Sequence, residues 1–515
     1  MRMRMSWLNL RIRDLLLASA CALAGTTAGA GDMLIEHVTV VSPERTTPLR
    51  DASVSLHDER ISQVTESGAT GGARVPGVEV VDGRGLYLTP GLIDSHVHLY
   101  DIPGMTDEQE RAHPQIARDA RAQIPRSYLY FGYTTLVDLV SLPEAMARWK
   151  SQPLRPDTYF CGAAAVMDGY PMHQWPRAER YRDFPYFLIE PGSTPPPGIN
   201  AADHTPAAVV KRMKADGASC VKTFFERGFG PDHDLPVPSL ATIQDLIREA
   251  HAAGLPVLMH ANASEAQRFA LDARVDVIAH GLWNWTEPPT VTELTPGVRS
   301  LLDGIVAAHI GWQPTIQVLT GLRDLFDPSF LGNPRLASVL PAALIEWYRT
   351  PEGQWFRKDV EPGMGFPPSM NRDARASQAR RIFSGGILRD QHAVAYMNVH
   401  GARILFGTDT PSAPTYGNPP GLNGWLEMHN LVEAGMTPLQ VFRAATLSNA
   451  QALHLPEVGT VAAGKRANLL LLTQDPTQTI EAYDHIIKVI LGGQVIDREG
   501  LTAGHLHSVA ASARP

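Results

Sequence analysis

Two histidines near the start of the chain have the spacing of paired metal ligands. His96 and His98 end the apolar segment 90–98, and on a β-strand the alternation of side chains places residues i and i+2 on one face. Both imidazoles can therefore bind one cation. The spacing alone is weak evidence, because His505 and His507 repeat it near the end of the chain, where no strand is predicted. We assign that second pair no role.

Four further side chains of metal-binding type follow in chain order. Lys222 lies inside an apolar strand, where an unpaired ammonium group is costly, so this lysine needs a partner, a lowered pKa or a modification. His260 and His280 each end an apolar strand and stand 20 residues apart, and Asp409 ends another strand. Each of these residues alone is commonly structural. Together with the histidine pair they predict a binuclear metal site.

The elements that position these residues alternate between strands and helices from residue 89 onwards. Thr205 and Pro206 begin a helix, with a capping residue and a proline in the first turn, and an apolar strand follows at 220–225. Ser239 caps the next helix, which leads to the apolar strand that ends at His260. Repeated β-α-β units with apolar strands predict a parallel sheet, and their number favours a closed (β/α)8 barrel.

The barrel prediction leaves both chain ends and two long insertions to be placed. The ends show short, strand-like runs, and the insertions are rich in proline and aromatic residues and follow predicted strands, on the side where barrel loops build active sites. We therefore divide the chain into a signal peptide (1–30), two β-rich ends (31–88 and 456–500), a barrel (89–455) with insertions at 168–204 and 319–395, and a flexible tail (501–515).

Composition limits the class of protein. The 515 residues include 45 basic and 53 acidic side chains, which gives a net charge of −8, and 44% are hydrophobic. These values exclude a disordered or fibrous chain, and the acidic balance argues against a nucleic-acid partner. Three cysteines cannot form a disulfide framework, and Cys161 and Cys220 lie in apolar strand-like runs, so we expect both to be buried thiols. A small-molecule substrate is the expected partner, and a homo-oligomer stays open.

The N-terminus has the pattern of an export signal. Four arginines within residues 1–14 precede an apolar run, and Ala28-Gly29-Ala30 has the small-residue pattern of a cleavage site. The apolar run is too short for stable membrane insertion. We expect an exported protein, in the periplasm or secreted. A lipoprotein attached through Cys21 is the minor alternative, because residues 17–21 loosely match a lipid-attachment box.

Several longer stretches, taken in order, resemble the amidohydrolase superfamily over nearly all of the chain after residue 30. They are TPGLIDSHVHL (89–99), FGYTTLVDL (131–139), CVKTF (220–224), PVLMHA (256–261), VDVIAHG (275–281), ILFGTDTPS (404–412), AGMTPLQVFRAATLSNAQALHL (434–455) and VGTVAAGKRANLLLL (458–472). The chain is most similar to the branch with imidazolonepropionase-like hydrolases and metallo-dipeptidases of the Xaa-Pro type. The resemblance implies an α/β fold, a (β/α)8 TIM barrel with a small β-sandwich domain built from both chain ends.

The resemblance also implies a role for each of the six metal-binding residues. His96, His98 and Asp409 would bind the more buried ion, His260 and His280 would bind the second, and Lys222, carboxylated by carbon dioxide, would bridge the two. A carbamate is an anionic oxygen donor, whereas an ammonium group cannot be a ligand. Two divalent ions are expected; zinc is the default for such nitrogen and oxygen donors, and manganese, cobalt and nickel stay open.

The implied function is hydrolysis of an amide or peptide-like C–N bond of a small molecule. A hydroxide between the metals attacks the carbonyl, and Asp409 acts as general base and then as general acid. Lactone, ester or phosphotriester hydrolysis at the same site is the alternative. A mononuclear deaminase or imidazolonase is less favoured, because His260 lacks a glutamate three residues later. A scaffold that lost its chemistry is disfavoured, since all six positions hold competent ligands.

Substrate contacts are predicted from residues that follow the barrel strands. An arginine at position 227 suits a substrate carboxylate. The full set of candidates is Tyr170, His173, Arg227, Asn284 and Tyr416.

Overall fold

The computed structural model describes residues 32–66, 77–99, 101–229, 233–288, 290–412 and 414–507. The predicted signal peptide and Cys21 lie outside the described residues. The strands are β1 (Met33–Val40), β2 (Leu49–His57), β3 (Arg60–Glu66), β4 (Glu79–Asp82), β5 (Tyr87–Pro90), β6 (Leu92–Val97), β7 (Tyr133–Asp138), β8 (Asp157–Ala164), β9 (Cys220–Phe224), β10 (Val257–His260), β11 (Val277–Ala279), β12 (Gly311–Gln313), β13 (Leu469–Leu472), β14 (Ile486–Leu491) and β15 (Gln494–Asp497).

The α-helices lie mainly between the strands of the central sheet and in the second insertion. They are α1 (Asp107–Ala112), α2 (Pro114–Tyr130), α3 (Pro143–Lys150), α4 (Arg180–Asp183), α5 (Pro206–Ala215), α6 (Leu240–Ala252), α7 (Ser264–Ala273), α8 (Pro296–Ala307), α9 (Gln317–Asp324), α10 (Leu336–Val339), α11 (Ala342–Arg349), α12 (Trp355–Val360), α13 (Arg372–Val399), α14 (Leu422–Glu433), α15 (Pro438–Arg443) and α16 (Asn449–Ala452). No described helix is long and apolar enough to cross a membrane.

The central sheet is a parallel barrel. Strands β6 to β12 pair in chain order, and nearly all of their residues are buried, as expected for a parallel sheet covered on both faces. The segment 403–410 closes the ring. It hydrogen-bonds to one edge strand through Trp312 N to Arg403 O (3.0 Å) and to the other through Asp409 N to His96 O (2.7 Å). The predicted barrel is thereby confirmed.

Helix caps lie where the sequence predicts them. The side chain of Thr205 accepts a hydrogen bond from Ala208 N at the start of α5, and that of Ser239 accepts one from Thr242 N at the start of α6. Each helix leads into a strand that carries a metal-ligand candidate, α5 into β9 and α6 into β10. The local signals therefore set where these strands begin and which of their residues reach the carboxyl end.

The two β-rich chain ends come together in one sheet. Its strand order is β15-β14-β13-β5-β1-β2-β3, with β4 also paired to β1. The join is the antiparallel pair β5–β13, where Leu88 lies opposite Leu471, and both side chains belong to a shared apolar core. The expected association of the ends is observed. Within the described residues they form one hydrogen-bonded sheet, so the predicted β-sandwich is not confirmed.

The prediction of two buried thiols is wrong, because Cys161 and Cys220 form a disulfide. The two residues are 59 positions apart but lie directly opposite each other on β8 and β9. They belong to an apolar cluster with residues from strands β6 to β11 and from the closing segment, so the disulfide lies inside the barrel. Only the register between two strands pairs them, which is why sequence spacing alone did not predict the bond.

The two stretches taken as insertions follow the carboxyl ends of barrel strands. Residues 168–204 follow β8 and pack their aromatic side chains in a cluster around Phe224 of β9. Residues 319–395 follow β12 and include helices α10 to α13. The tail was predicted to be flexible from residue 501, but Leu501 is fully buried beside α2. Its carbonyl accepts a hydrogen bond from Gln123 Nε2 of that helix (3.0 Å). Residues 508–515 lie outside the described residues.

Candidate metal centre

Asp409 lies at the centre of a group of imidazoles at the carboxyl end of the barrel. Its Oδ1 atom is 2.9 Å from His96 Nε2 and 2.9 Å from His98 Nε2, and its Oδ2 atom is 4.0 Å from His280 Nδ1. Ligand atoms of His96, His280 and Asp409 all lie within 4.8 Å of one another. Donor atoms that share one ion at about 2.1 Å stand roughly 3 Å apart, so this spacing suits a common cation.

His260 extends the group on one side. Its ring centroid lies 4.5 Å from that of His280, which in turn lies 4.9 Å from that of His96. The four imidazoles therefore line one pocket, with His96 and His98 contributed by β6 and the residue after it, His260 by the end of β10, and His280 by the residue after β11. Neighbouring parallel strands bring their carboxyl ends to the same rim, which explains how distant positions converge.

Lys222 lies on β9, opposite Leu258 of the strand that ends at His260. The residue is 1% exposed, and its Nζ atom makes no hydrogen bond to any described residue. Burial lowers the pKa of Lys222 to about 7, although Asp409 partly opposes this. The positive charge of Lys222 contributes to lowering the pKa of His96, His260 and His280. A buried amine without a partner is the group that carboxylation would convert into an oxygen donor.

Burial keeps most of the imidazoles neutral, the form that binds metals. It lowers the pKa of His96 to about 3, and it lowers the pKa of His260 and His280 as well. Although burial alone would raise it, the pKa of Asp409 lies well below its usual range because of the imidazoles of His96 and His280. The pocket thus offers neutral nitrogen donors together with an ionised carboxylate.

A hydrogen-bonded frame holds the first histidine strand against the segment that carries Asp409. Asp94 accepts hydrogen bonds from His96 N (3.2 Å), Thr408 N (3.1 Å) and Thr408 Oγ1 (2.7 Å). Asn449 Nδ2 donates to the carbonyls of Ile93 (2.9 Å) and Phe406 (2.7 Å). These buried contacts cross the seam where the barrel closes, so they set the distance between His96 and Asp409.

Backbone strain is concentrated at the pocket. His280 and Asp409 have φ angles of 94° and 58°, in the left-handed region that residues other than glycine rarely adopt. The Nδ1 atom of His280 lies 3.1 Å from Thr315 Oγ1, and Thr315 also has a positive φ of 51°. This contact leaves Nε2 of His280 free to bind a cation.

Glu226 is a candidate that the sequence analysis missed. Its Oε2 atom lies 3.3 Å from His260 Nε2, and its side chain is 10% exposed. Asn262 Nδ2 lies 3.4 Å from the same His260 nitrogen. A carboxylate beside His260 is placed to assist in binding a second ion. Glu226 follows β9 in the loop where Arg227 was singled out instead, and no spacing or apolar pattern distinguishes the two residues.

Of the predicted substrate contacts, Tyr170 lies nearest the pocket. Its ring is 4.8 Å from the ring of His260 and 5.6 Å from that of Phe229, which is 45% exposed. Burial raises the pKa of Tyr170, so its phenol stays protonated and can donate a hydrogen bond. The ring of His173 lies 6.0 Å from that of Tyr170, one layer further out.

The other three predicted contacts point elsewhere. Arg227 is half exposed and forms an ion pair with Glu265 (2.8 Å). Asn284 is exposed, and its side chain donates to Asn262 Oδ1 (3.3 Å) rather than reaching the histidines. Tyr416 is buried, and its hydroxyl donates to the carbonyl of Leu325 (3.1 Å). Their positions in the loops were predicted, but side-chain direction was not.

Several solved structures share the fold of this chain. The chain is 18% identical to a Xaa-Pro dipeptidase with bound methionine in the active site (TM-score 0.59; 90% of this chain and 100% of that chain covered). It is 19% identical to the ochratoxinase of A. niger (TM-score 0.60; 91% and 96%) and 18% identical to a molinate hydrolase (TM-score 0.62; 92% and 96%). A search of curated proteins finds no match.

A sequence model described as the Amidohydrolase family matches residues 87–280 and 370–496, which is more than half of the chain. The match includes all six residues of the candidate metal centre. It includes barrel strands β6 to β11, the closing segment 403–410, and strands β5, β13 and β14 of the joined sheet. It leaves out residues 281–369, which contain β12 and the first part of the second insertion. This chain belongs to the Amidohydrolase family.

Proposed function

We propose that this protein is a metal-dependent hydrolase that cleaves an amide or peptide-like C–N bond of a small molecule. The observation that carries the proposal is the group of four imidazoles with Asp409 at the carboxyl end of the barrel. The buried amine of Lys222, on the strand beside the one that ends at His260, supports it, since this amine has no hydrogen-bond partner among the described residues. Membership of the family supports a hydrolase acting on C–N bonds. The Xaa-Pro dipeptidase among the structural neighbours supports a peptide-like substrate.

The residues suit two divalent ions, with zinc as the default. His96, His98 and Asp409 would hold one ion, His260 and His280 the other, and Lys222, carboxylated on Nζ, would bridge them. The donor set is nitrogen and carboxylate oxygen throughout, which zinc prefers. When bound, such ions lower the pKa of water and polarise a substrate carbonyl.

The chain's own groups would then handle the protons. Asp409 is ionised, so its carboxylate accepts a proton from the attacking water and donates it to the nitrogen of the breaking C–N bond. The phenol of Tyr170 stays protonated beside His260 and orients the substrate through a hydrogen bond. The exposed ring of Phe229 supplies apolar surface at the rim.

Removal of the lysine amine tests the proposal. We expect Lys222→Ala to lose the metal pair and at least 100-fold of activity, because no other described group replaces a bridging oxygen donor. Short carboxylic acids should restore part of the activity. The measurement combines metal analysis with assays on dipeptides, N-acyl amino acids and lactones. The matched control is Lys214→Ala, on the exposed surface of α5, which should keep metals and activity.

Two outcomes would contradict the proposal. Full activity of Lys222→Ala would show that Lys222 takes no part in the metal site. Cleavage of lactones with no activity on any amide or peptide would contradict C–N hydrolysis and favour lactone or ester hydrolysis at the same metal site.

We also propose that the chain is exported to the periplasm or secreted. The export pattern of residues 1–30 and the buried disulfide both support this, because disulfides persist in oxidising compartments. N-terminal sequencing of the protein from its native cells should show a new terminus near residue 31. An intact Met1 would contradict export by cleavage.

A further inference from the structure

A second cavity lies in the insertion that follows β12. Its volume is about 530 Å³, within the range of small-molecule sites. None of the six metal-ligand candidates lines it. Most of its lining residues fall between Leu325 and Arg357, in the part of the chain that the family match leaves out. The cavity is therefore a feature of this chain in addition to the site shared with the family.

Four arginines line this cavity against a single lining carboxylate, Asp327. They are Arg349, Arg357, Arg372 and Arg375. Two of them, Arg357 and Arg375, share one partner, Glu361, and Arg349 pairs with Glu346 (3.3 Å). Neither glutamate lines the cavity, so guanidinium groups outnumber carboxylates four to one within its lining, a balance that suits an anion.

Arg372 is exposed at the start of α13. It forms no ion pair or hydrogen bond with any residue that the structure describes. Arg357, Arg372 and Tyr416 line the same cavity, and Arg357 Nε donates a hydrogen bond to Oε1 of Gln354 (2.7 Å), another lining residue. Both guanidinium groups therefore border one cavity. A planar guanidinium group binds a carboxylate through two parallel hydrogen bonds.

Five of the other lining residues are apolar, and Gln354 and Tyr416 add polar groups. The apolar residues are Leu325, Phe326, Pro328, Leu331 and Met370. A bare inorganic anion would leave this surface unused, whereas a ligand with a hydrocarbon or aromatic part would bury it. Burial of apolar surface stabilises such a complex in proportion to its area.

We propose that this cavity binds a small organic anion with a carboxylate group and an apolar part, separately from the metal centre. Arg372 and Arg357 hold the carboxylate, and the leucine, phenylalanine and methionine side chains cover the apolar part. The proposal does not depend on hydrolysis, because no residue of the metal centre contributes to the cavity.

Calorimetric titration of the full chain with three probes tests the inference. Phenylacetate should bind with one site per chain, at least tenfold more tightly than acetate or inorganic phosphate, because only phenylacetate fills the apolar wall. Arg372→Gln should weaken phenylacetate binding at least tenfold. Met370→Glu, which places a carboxylate in the cavity, should abolish it. The matched control is Arg381→Gln, on an exposed face of the same helix, which should bind as the wild type does.

Binding to Lys222→Ala separates the two sites. Unchanged phenylacetate binding in that variant supports the cavity, whatever the variant does to hydrolysis. Loss of binding in Lys222→Ala together with unchanged binding in Arg372→Gln would place the ligand in the metal centre and overturn the inference. Equal affinity for phosphate and phenylacetate would contradict the claim that the ligand has an apolar part. If phenylacetate does not bind at all, the cavity is not a site for this class of anion.

Discussion

Glu226 is the single side chain whose role can be tested most sharply beyond the six predicted ligands. Its carboxylate lies 3.3 Å from His260 Nε2. We expect Glu226→Gln to reduce the second metal ion per chain and to lower activity about tenfold, because a neutral amide is a weaker ligand than a carboxylate. Metal analysis of the purified variant measures the effect.

Glu265 provides the control for this substitution. It is 60% exposed and pairs with Arg227 outside the pocket, so Glu265→Gln should keep both ions and full activity. Two ions and unchanged activity in Glu226→Gln would show that Glu226 takes no part in the centre.

Candidate metal ligands were predictable where the residue lies in or at the end of an apolar strand, because the strand fixes the direction of the side chain. Strand alternation and apolar flanks single out His96, His98 and Lys222; the two histidines both contact Asp409, and Lys222 is buried on β9. Loop residues carry no such constraint. Arg227 was predicted to face the substrate, but its guanidinium group reaches Glu265, and neighbouring Glu226 turns inward instead.

At the level of elements, the long helix α13 supports the loop after His280. Asp390 is fully buried and accepts hydrogen bonds from Leu282 N (3.2 Å) and Trp283 Nε1 (3.0 Å). The Trp283 ring lies 5.2 Å from His280. We expect Asp390→Ala to cost about 2–4 kcal/mol of unfolding free energy, because two buried N–H groups lose their acceptor. Urea unfolding measures it.

The matched control lies on the same helix. Asp373 is exposed in the first turn of α13, and Asp373→Ala should cost less than about 1 kcal/mol. Equal stability losses in the two variants would mean that Asp390 does not anchor the loop.

Helix α14 supports the same histidine from another side. Glu427 accepts hydrogen bonds from Ile316 N (3.1 Å) and Gln317 N (2.7 Å), at the start of α9, next to the Thr315 that contacts His280. Burial raises the pKa of Glu427 to about 8. Because the folded pKa is raised, the contribution of Glu427 to stability is full below about pH 4.5 and is lost as the pH rises through about 8.

Glu427→Gln removes this titration and nearly keeps the side-chain shape. We expect the wild type to lose stability relative to the variant as the pH rises from about 5.5 to 8.5, measured by urea unfolding at each pH. A wild type that gains stability relative to the variant over that range would contradict the raised pKa.

Helices and strands were predictable where local signals are strong. Thr205 and Ser239 mark helix starts that the structure confirms. The link between Asp390 and the loop at 281–283 joins elements more than 100 residues apart, and no local pattern indicates such a partner.

For the whole molecule, the disulfide inside the barrel is the feature that most changes its expected stability. It closes a loop of 59 residues, which corresponds to about 4 kcal/mol on chain-entropy grounds. We expect Cys161→Ala with Cys220→Ala to lower the unfolding free energy by roughly 2–4 kcal/mol. Thiol titration of denatured Cys21→Ser protein should give no free thiol before reduction and two after it. Two free thiols before reduction would contradict the bond.

The overall fold was predictable where it follows from the order of strands and helices along the chain. Apolar strands in series with helices indicated a barrel, and the structure confirms it. The pairing of β5 with β13 and of Cys161 with Cys220 depends on registers between distant strands, which composition and spacing leave undetermined. The resemblance implied a sandwich of two sheets for the chain ends, whereas their described strands form one sheet. This arrangement also depends on pairing between distant strands.

Anomalous diffraction at the zinc absorption edge, from crystals of zinc-loaded protein, tests the account most directly. We predict two peaks roughly 3.5–4 Å apart, one beside His96, His98 and Asp409 and the other beside His260 and His280, with added density on Lys222 Nζ between them. A single peak, or a Lys222 side chain that contacts neither ion, would contradict the binuclear centre.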